Sequence, residues 1–172
     1  MIDITGKTRS GGGYMQDFKV NTGGLRNEEP LTQKQIADAI EYAVKLNMPR
    51  DKIQYEEKQN LAYWETFDLL IIGTDLYPLE NPAQGTKSAN SRISWKSGIA
   101  HELIGHREAK LKGWTQENDI YEEVQASIRA ARFAPDLSEI ERITLLRDAV
   151  CRLNNKGLST AGVRNILNIK ER

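Results

Sequence analysis

The sequence predicts an α+β fold in which a small, mostly antiparallel sheet packs against one helix and further C-terminal helices. Two observations favour this fold: short strand-like runs lie in the first half of the chain, and capped helical patterns dominate the second half. The 172 residues, 39% of them hydrophobic, are enough for one core. We therefore expect one domain over residues 25–172, preceded by a flexible segment or linker over residues 1–24.

The first helix should begin near Thr32 and be followed by strands. Thr32 and Gln35 have the spacing of a capping box, and the helical stripe that follows stops before Pro49. Alternating or continuous short apolar runs bounded by turn residues then indicate strands. Four ranges fit this description: residues 52–57, 61–64, 67–72 and 92–95.

Later helices are marked by caps and breaks. A helix should start near Ser97, and a break over residues 113–118 separates it from a second helix. A capping box at Ser138 opens the next helix, which Gly157 ends. A last helix is expected to run from Ser159 to about residue 168.

Composition excludes some classes of protein and partner. The 24 acidic and 24 basic residues give a net charge of zero, so nucleic acid is an unlikely partner. The single cysteine, Cys151, rules out an intrachain disulfide, and its helical pattern predicts a core position. No apolar run is long enough to span a membrane and no export signal is recognisable, so we expect no membrane partner.

The two histidines of the chain, His101 and His106, bracket the string His-Glu-Leu-Ile-Gly-His. Neutral imidazoles are common zinc ligands, and a carboxylate beside the first histidine, here Glu102, can accept a proton from a metal-bound water. We therefore interpret the string as part of a metallohydrolase site. His101 and His106 are the expected metal ligands, Glu102 is the expected general base, and Zn²⁺ is the expected cofactor.

The spacing of the histidines requires a distorted helix. The common zincin string His-Glu-x-x-His places its ligands at i and i+4, whereas His101 and His106 are at i and i+5. On an ideal helix, five residues turn a side chain by about 140° past a full turn, so the imidazoles would not converge. We predict a π-bulge, for which Gly105 lowers the steric barrier. The alternative is a regular helix in which Glu102 and His106 form an ordinary surface pair.

A third ligand should be a carboxylate, because no further histidine exists. Two helices joined by the break at residues 113–118 would place His106 and Glu123 each at roughly 10 Å from the turn, and thus level. Either Glu122 or Glu123 can face the partner helix, since adjacent residues point about 100° apart. We expect Glu123 to be the ligand and Glu122 and Asp119 to orient the imidazoles from outside. The alternative is that these acids are solvated charges that favour the helix dipole.

These residues resemble the gluzincin peptidases, and within them the dipeptidyl peptidase III family, which has a His-Glu-x-x-Gly-His string and a later Glu-Glu-x-x-Ala string. Both strings are present, at residues 101–106 and 122–126. The chain is far shorter than those peptidases, so we expect a minimal zincin-like domain and infer no substrate from the family. The resemblance implies four site residues: the zinc ligands His101, His106 and Glu123, and the base Glu102.

A wider block, residues 90–132, is similar to the metallopeptidase domains at the C-termini of bacterial polymorphic toxins of the Rhs/YD-repeat type. The resemblance implies a toxin or effector domain that hydrolyses peptide bonds and is neutralised by a cognate immunity protein. It also implies that the domain is delivered by a larger parent protein. Without that parent, a chain lacking an export signal would be cytoplasmic.

The expected reaction also needs a donor that stabilises the oxyanion. Tyr77, Arg92 and Tyr121 lie near the motif in sequence, but no spacing argument selects one of them. An extended substrate could pair with an exposed edge strand near the site, and this favours a peptide substrate over other amides.

A binding module is the alternative from another functional class. The turn at residues 154–158 between two predicted helices resembles a helix-turn-helix, with the helix from Ser159 as the reader of DNA or of a partner protein. Arg164 is the only basic residue in that helix, so it lacks the cationic stripe that phosphates require. In this alternative the metal site is non-catalytic or absent.

Overall fold

The computed structural model describes residues 27–77 and 92–172, and it confirms an α+β fold. The segment predicted to be flexible, residues 1–24, lies outside the described residues. Within the two described ranges, no helix combines the length and the apolar character that crossing a bilayer requires.

The chain enters the fold through a capped helix that supports a sheet. Helix α1 (Gln33–Lys45) begins at the predicted capping box of Thr32 and Gln35. Strands β1 (Ile53–Glu56), β2 (Ala62–Trp64) and β3 (Leu69–Gly73) follow. Three of the four predicted strands are therefore confirmed, with bounds shifted by one or two residues.

The sheet is mixed, so the prediction of a mostly antiparallel sheet was only half right. The strand order is β1-β3-β2, and β3 pairs in parallel with β1 and antiparallel with β2. In register, Leu70 of β3 lies between Ile53 of β1 and Tyr63 of β2. Strand β3 takes the central place because it is buried over nearly its whole length and needs apolar cover on both faces. Because β3 lies between them, β1 and β2 do not pair with each other, although the connection between them is short enough for a direct pair.

The motif helix is one continuous helical segment with three parts: α2 (Trp95–Ala100), a π-helix (His101–Arg107) and α3 (Glu108–Leu111). Its N-cap is Ser94, whose hydroxyl accepts a hydrogen bond from the backbone of Ser97 at 3.2 Å. The helix therefore starts two residues before Ser97, and the strand predicted over residues 92–95 was wrong. Ser94, which belongs to the pattern that predicted a strand, is instead the N-cap of the helix.

Three helices complete the described chain: α4 (Asp119–Phe133), α5 (Glu139–Asn155) and α6 (Thr160–Val163). The predicted capping box at Ser138 opens α5, and Gly157, with φ of 68°, follows its end. Helix α6 is shorter than predicted: it ends at Val163, and residues 164–166 form a turn.

Two apolar clusters hold these elements together. The larger cluster joins α1, β3, the motif helix, α4 and α5, and includes the fully buried Leu70, Ile99 and Leu145. The smaller cluster joins α4, α5 and the C-terminal residues around Val163. Cys151 is half-buried, so the core position predicted for it is only partly correct.

The π-helix and α4 approach each other closely at Gly105. A Cβ atom added to Gly105 would lie 2.6 Å from the Cβ of Ala126 and 2.7 Å from its carbonyl oxygen. Such distances are far below van der Waals contact, so only glycine fits against Ala126. The residue was expected to ease a helix distortion, whereas the structure shows that it also permits helix contact.

A buried arginine fastens the other side of this contact. Arg129 of α4 is fully buried, and its Nε donates a hydrogen bond to the carbonyl oxygen of Ile104 in the π-helix at 3.2 Å. Its terminal nitrogens donate to the carbonyl oxygens of Asn168 and Glu171 and to the carboxylate of Glu108. The guanidinium thus links the π-helix, α4 and the C-terminus through satisfied polar groups.

Replacing Gly105 by alanine should destabilise the protein. Overpacking of a close helix contact costs about 1–3 kcal/mol, which exceeds the gain of about 1 kcal/mol from better helix propensity. Urea unfolding followed by circular dichroism measures the change in the free energy of unfolding.

The matched control is Gly98→Ala in the same helical segment. A Cβ there meets first the Cδ2 of Leu61 at 2.9 Å, a side-chain methyl that can rotate away. We expect a change within about 1 kcal/mol. Equal unfolding curves for Gly105→Ala and the wild type would contradict the role assigned to the contact with Ala126.

Candidate metal centre

The π-helix brings the two histidines to the same face. Its hydrogen bonds join residues five apart, as in the bond from the Glu108 N–H to the Leu103 carbonyl oxygen. The Nε2 atoms of His101 and His106 lie 3.1 Å apart, and their ring planes cross at 77°. The predicted helix distortion is confirmed, and the alternative of a regular helix was wrong. The distortion covers seven residues instead of a single bulge.

Helix α4 adds a carboxylate to this pair. One oxygen of Glu123, Oε2, lies 3.2 Å from His101 Nε2, and the other, Oε1, lies 3.5 Å from His106 Nε2. Glu122 is farther out, with Oε1 4.0 Å from His106 Nδ1. Asp119 is exposed in the first turn of α4. Glu123 is therefore the acid that the fold directs at both imidazoles.

The two imidazole nitrogens and the carboxylate group have separations close to those of ligands around a small tetrahedral ion. Ligand atoms about 2.0–2.1 Å from zinc at tetrahedral angles are about 3.3 Å from one another. The distances among His101 Nε2, His106 Nε2 and the Glu123 oxygens are 3.1, 3.2 and 3.5 Å. Two imidazole nitrogens and one carboxylate also form a donor set that suits zinc. The residues present thus fit the ion.

Glu102 lies beside these donors and is held by the sheet. It is buried, and its Oε2 accepts a hydrogen bond of 2.9 Å from the backbone N–H of Tyr63 in β2. The nearest ligand-type atoms of His101, Glu102 and His106 all lie within 4.8 Å of one another. Burial raises the pKa of Glu102 to about 7, against the favourable charge of His101.

The two imidazoles and the Glu123 carboxylate have different electrostatic environments. Burial opposes the charge of His101, yet the hydrogen bond and charge of Glu123 raise the pKa of this imidazole. Burial lowers the pKa of His106 to about 4 and keeps this ring neutral. Although burial disfavours a charged Glu123, Arg152 and the two imidazoles hold its pKa well below the usual range. The site therefore combines a neutral imidazole with a charged carboxylate, the forms in which both bind metal.

Glu122 has a different electrostatic environment from its neighbour Glu123. Burial raises the pKa of Glu122 to about 7, and the negative charges of Glu65, Glu123 and Asp119 add to the rise. The negative charge of Asp119 therefore favours the neutral form of Glu122. A carboxyl group surrounded by other acids is less suited to be a charged ligand than Glu123, which faces Arg152.

Three polar residues behind the donors were not recognised from the sequence. Ser127 Oγ lies 3.0 Å from His101 Nδ1 and donates to Asp148 Oδ2 at 2.8 Å. Arg152 donates from Nε to the same Asp148 oxygen at 2.9 Å and lies 3.3 Å from Glu123 Oε2. A signal was available in the spacing: Ser127 follows Glu123 by four residues, and Arg152 follows Asp148 by four.

The three residues considered for the oxyanion role lie in varied surroundings. Tyr77 stacks on Trp95 with ring centroids 5.6 Å apart, and its hydroxyl lies 3.5 Å from a carbonyl oxygen of α1. Tyr121 packs against the smaller apolar cluster, and Arg92 is exposed before the motif helix. These positions do not select a donor, and the oxyanion role stays unassigned.

Comparison with known proteins found no relative: no family model, no curated protein and no solved structure matches the chain. The function is therefore inferred from the geometry of the site and from the chemistry of its residues.

Proposed function

We propose that the protein is a zinc-dependent hydrolase that cleaves peptide bonds. One observation carries the proposal: two histidine nitrogens and a carboxylate lie 3.1–3.5 Å apart, with the buried Glu102 beside them. Three protein donors are typical of catalytic zinc sites, whereas structural sites use four. When bound, zinc would supply a Lewis acid and a water of lowered pKa.

Glu102 is the residue that we assign to proton transfer. The Tyr63 N–H holds Oε2, so the other oxygen, Oε1, is the atom assigned to accept a proton from the attacking water. The same oxygen would then deliver the proton to the leaving amine. A carboxyl group suits both steps, because its charged form accepts the proton and its neutral form donates it.

A peptide is the substrate class that the surrounding fold favours. Among the described residues, strand β2 lies at an edge of the sheet, and the Tyr63 N–H on the side away from β3 reaches Glu102. An extended chain aligned along this edge would run past the proposed base. The toxin context, delivery by a parent protein and a cognate immunity protein enter the proposal through the sequence resemblance of residues 90–132.

The purified protein should contain close to one zinc ion per chain. His101→Ala, His106→Ala and Glu123→Ala should each lose it, because two remaining donors cannot hold the ion. Inductively coupled plasma mass spectrometry measures the metal, and circular dichroism checks that each variant is folded. Glu122→Ala is the matched control from the same helix turn, and it should retain zinc. No zinc in the wild type, even after zinc is added, would refute the metal site and favour the binding-module alternative.

Glu102→Gln should retain zinc and lose peptidase activity by a factor of about 100 to 10,000, as expected when a general base is removed. Glutamine keeps the shape of the side chain and an acceptor for the Tyr63 N–H. Hydrolysis of unstructured protein and of a peptide library, read by mass spectrometry, measures the activity. Glu122→Gln serves as the control. If zinc-loaded Glu102→Gln cleaves as fast as the wild type, Glu102 is not the base.

A further inference from the structure

We propose that Asp148 is a positioning residue for both kinds of donor in the metal centre. It acts on His101 through Ser127 and on Glu123 through Arg152. The inference rests on the proposed metal site and assigns roles to three residues that neither sequence motif contains. The two connections, here called the first arm (through Ser127) and the second arm (through Arg152), begin at one carboxylate oxygen. Asp148 Oδ2 accepts a hydrogen bond from Ser127 Oγ at 2.8 Å and another from Arg152 Nε at 2.9 Å.

The first arm sets the hydrogen position on His101. A serine hydroxyl has one hydrogen, and Ser127 donates it to Asp148, since a carboxylate only accepts. The Ser127 oxygen is then the acceptor for His101 Nδ1 at 3.0 Å, which places the imidazole hydrogen on Nδ1. In the neutral ring, Nε2 then carries the lone pair, which is the form of the imidazole that binds a metal ion. Ser127 and Asp148 are buried, so water does not compete for these bonds.

The second arm holds Glu123. A terminal nitrogen of Arg152 lies 3.3 Å from Glu123 Oε2, while its Nε is bound to Asp148. The arginine therefore bridges two carboxylates that belong to α4 and α5. This bridge fixes one oxygen of Glu123 near His101 and leaves the other 3.5 Å from His106. Both arms end on donors of the same site.

The end points of the two arms argue against a merely structural network. His101 Nε2 lies 3.2 Å from the negatively charged Glu123 oxygen and 3.1 Å from the Nε2 of His106. The repulsion among these atoms is relieved by a cation between them, or by a second proton on His101 that Nε2 donates to Glu123, and the first arm turns Nε2 toward Glu123 in both cases. A network that only joined α4 to α5 would not need to direct the side chains of His101, Glu123 and His106 toward one another.

The test is the zinc affinity of folded variants, measured by competition with a chromophoric chelator. Loss of an outer hydrogen-bond partner of a metal ligand typically weakens metal binding by about 10- to 100-fold. We expect this loss for Ser127→Ala and for Asp148→Asn, which is nearly isosteric. Arg152→Lys keeps the charge but lacks the planar donor geometry that spans both carboxylates, so it should also bind zinc less tightly. Cobalt-loaded Ser127→Ala and Asp148→Asn should show altered visible absorption bands.

Gln125→Ala is the matched control for a structural effect. Gln125 is a buried polar residue of the same helix, and it bonds to the Trp114 carbonyl oxygen and the Asn168 N–H, away from the donors. Its loss should lower the free energy of unfolding but leave the zinc affinity and the cobalt spectrum unchanged.

A double variant tests the order of the first arm. If Asp148 acts on His101 through Ser127, Asp148→Asn should weaken zinc binding less in the Ser127→Ala background than in the wild type. Wild-type zinc affinity in folded Ser127→Ala and Asp148→Asn would overturn the inference and leave the metal site intact. A wild type that binds no zinc would instead refute the proposed function, and this inference with it.

Discussion

The extra residue between the two histidines is the constraint on which the rest of the site depends. Side chains five residues apart share a face only where the helix is widened, and a widened turn has poorer backbone packing than an α-helix. In this protein, Gly105 lets the widened turn rest directly on Ala126, and Arg129 donates to the Ile104 carbonyl oxygen. Packing and hydrogen bonding from α4 thus stabilise the geometry that the histidines need.

The same contact explains the small residues in the two motif strings. Gly105 precedes the second histidine, and Ala126 follows Glu123 by three residues. Neither side chain carries chemistry. Their small size brings the two helix axes close enough for Glu123 to reach both imidazoles, so each string combines donors with the packing residues that position them.

The centre gathers buried polar groups whose desolvation opposes folding. His101, Glu102 and Asp148 are almost fully buried, and charged groups in such surroundings need partners. Each has one: Ser127 for His101, the Tyr63 N–H for Glu102, and Arg152 for Asp148. An apolar core of the same volume would stabilise the fold at least as well. The polar arrangement therefore adds little to the stability that an apolar core would give.

The sequence by itself determined the α+β class, the capped helices at Thr32 and Ser138, and the need for a distorted helix, because these follow from local periodicity and hydrogen bonding. It also restricted the expected third metal ligand to two adjacent glutamates. Only the tertiary structure decided which of them faces the histidines, because the rotation of α4 is set by its contact with Gly105. The strand order and the network of Ser127, Asp148 and Arg152 likewise depend on contacts between distant residues, which local patterns do not encode.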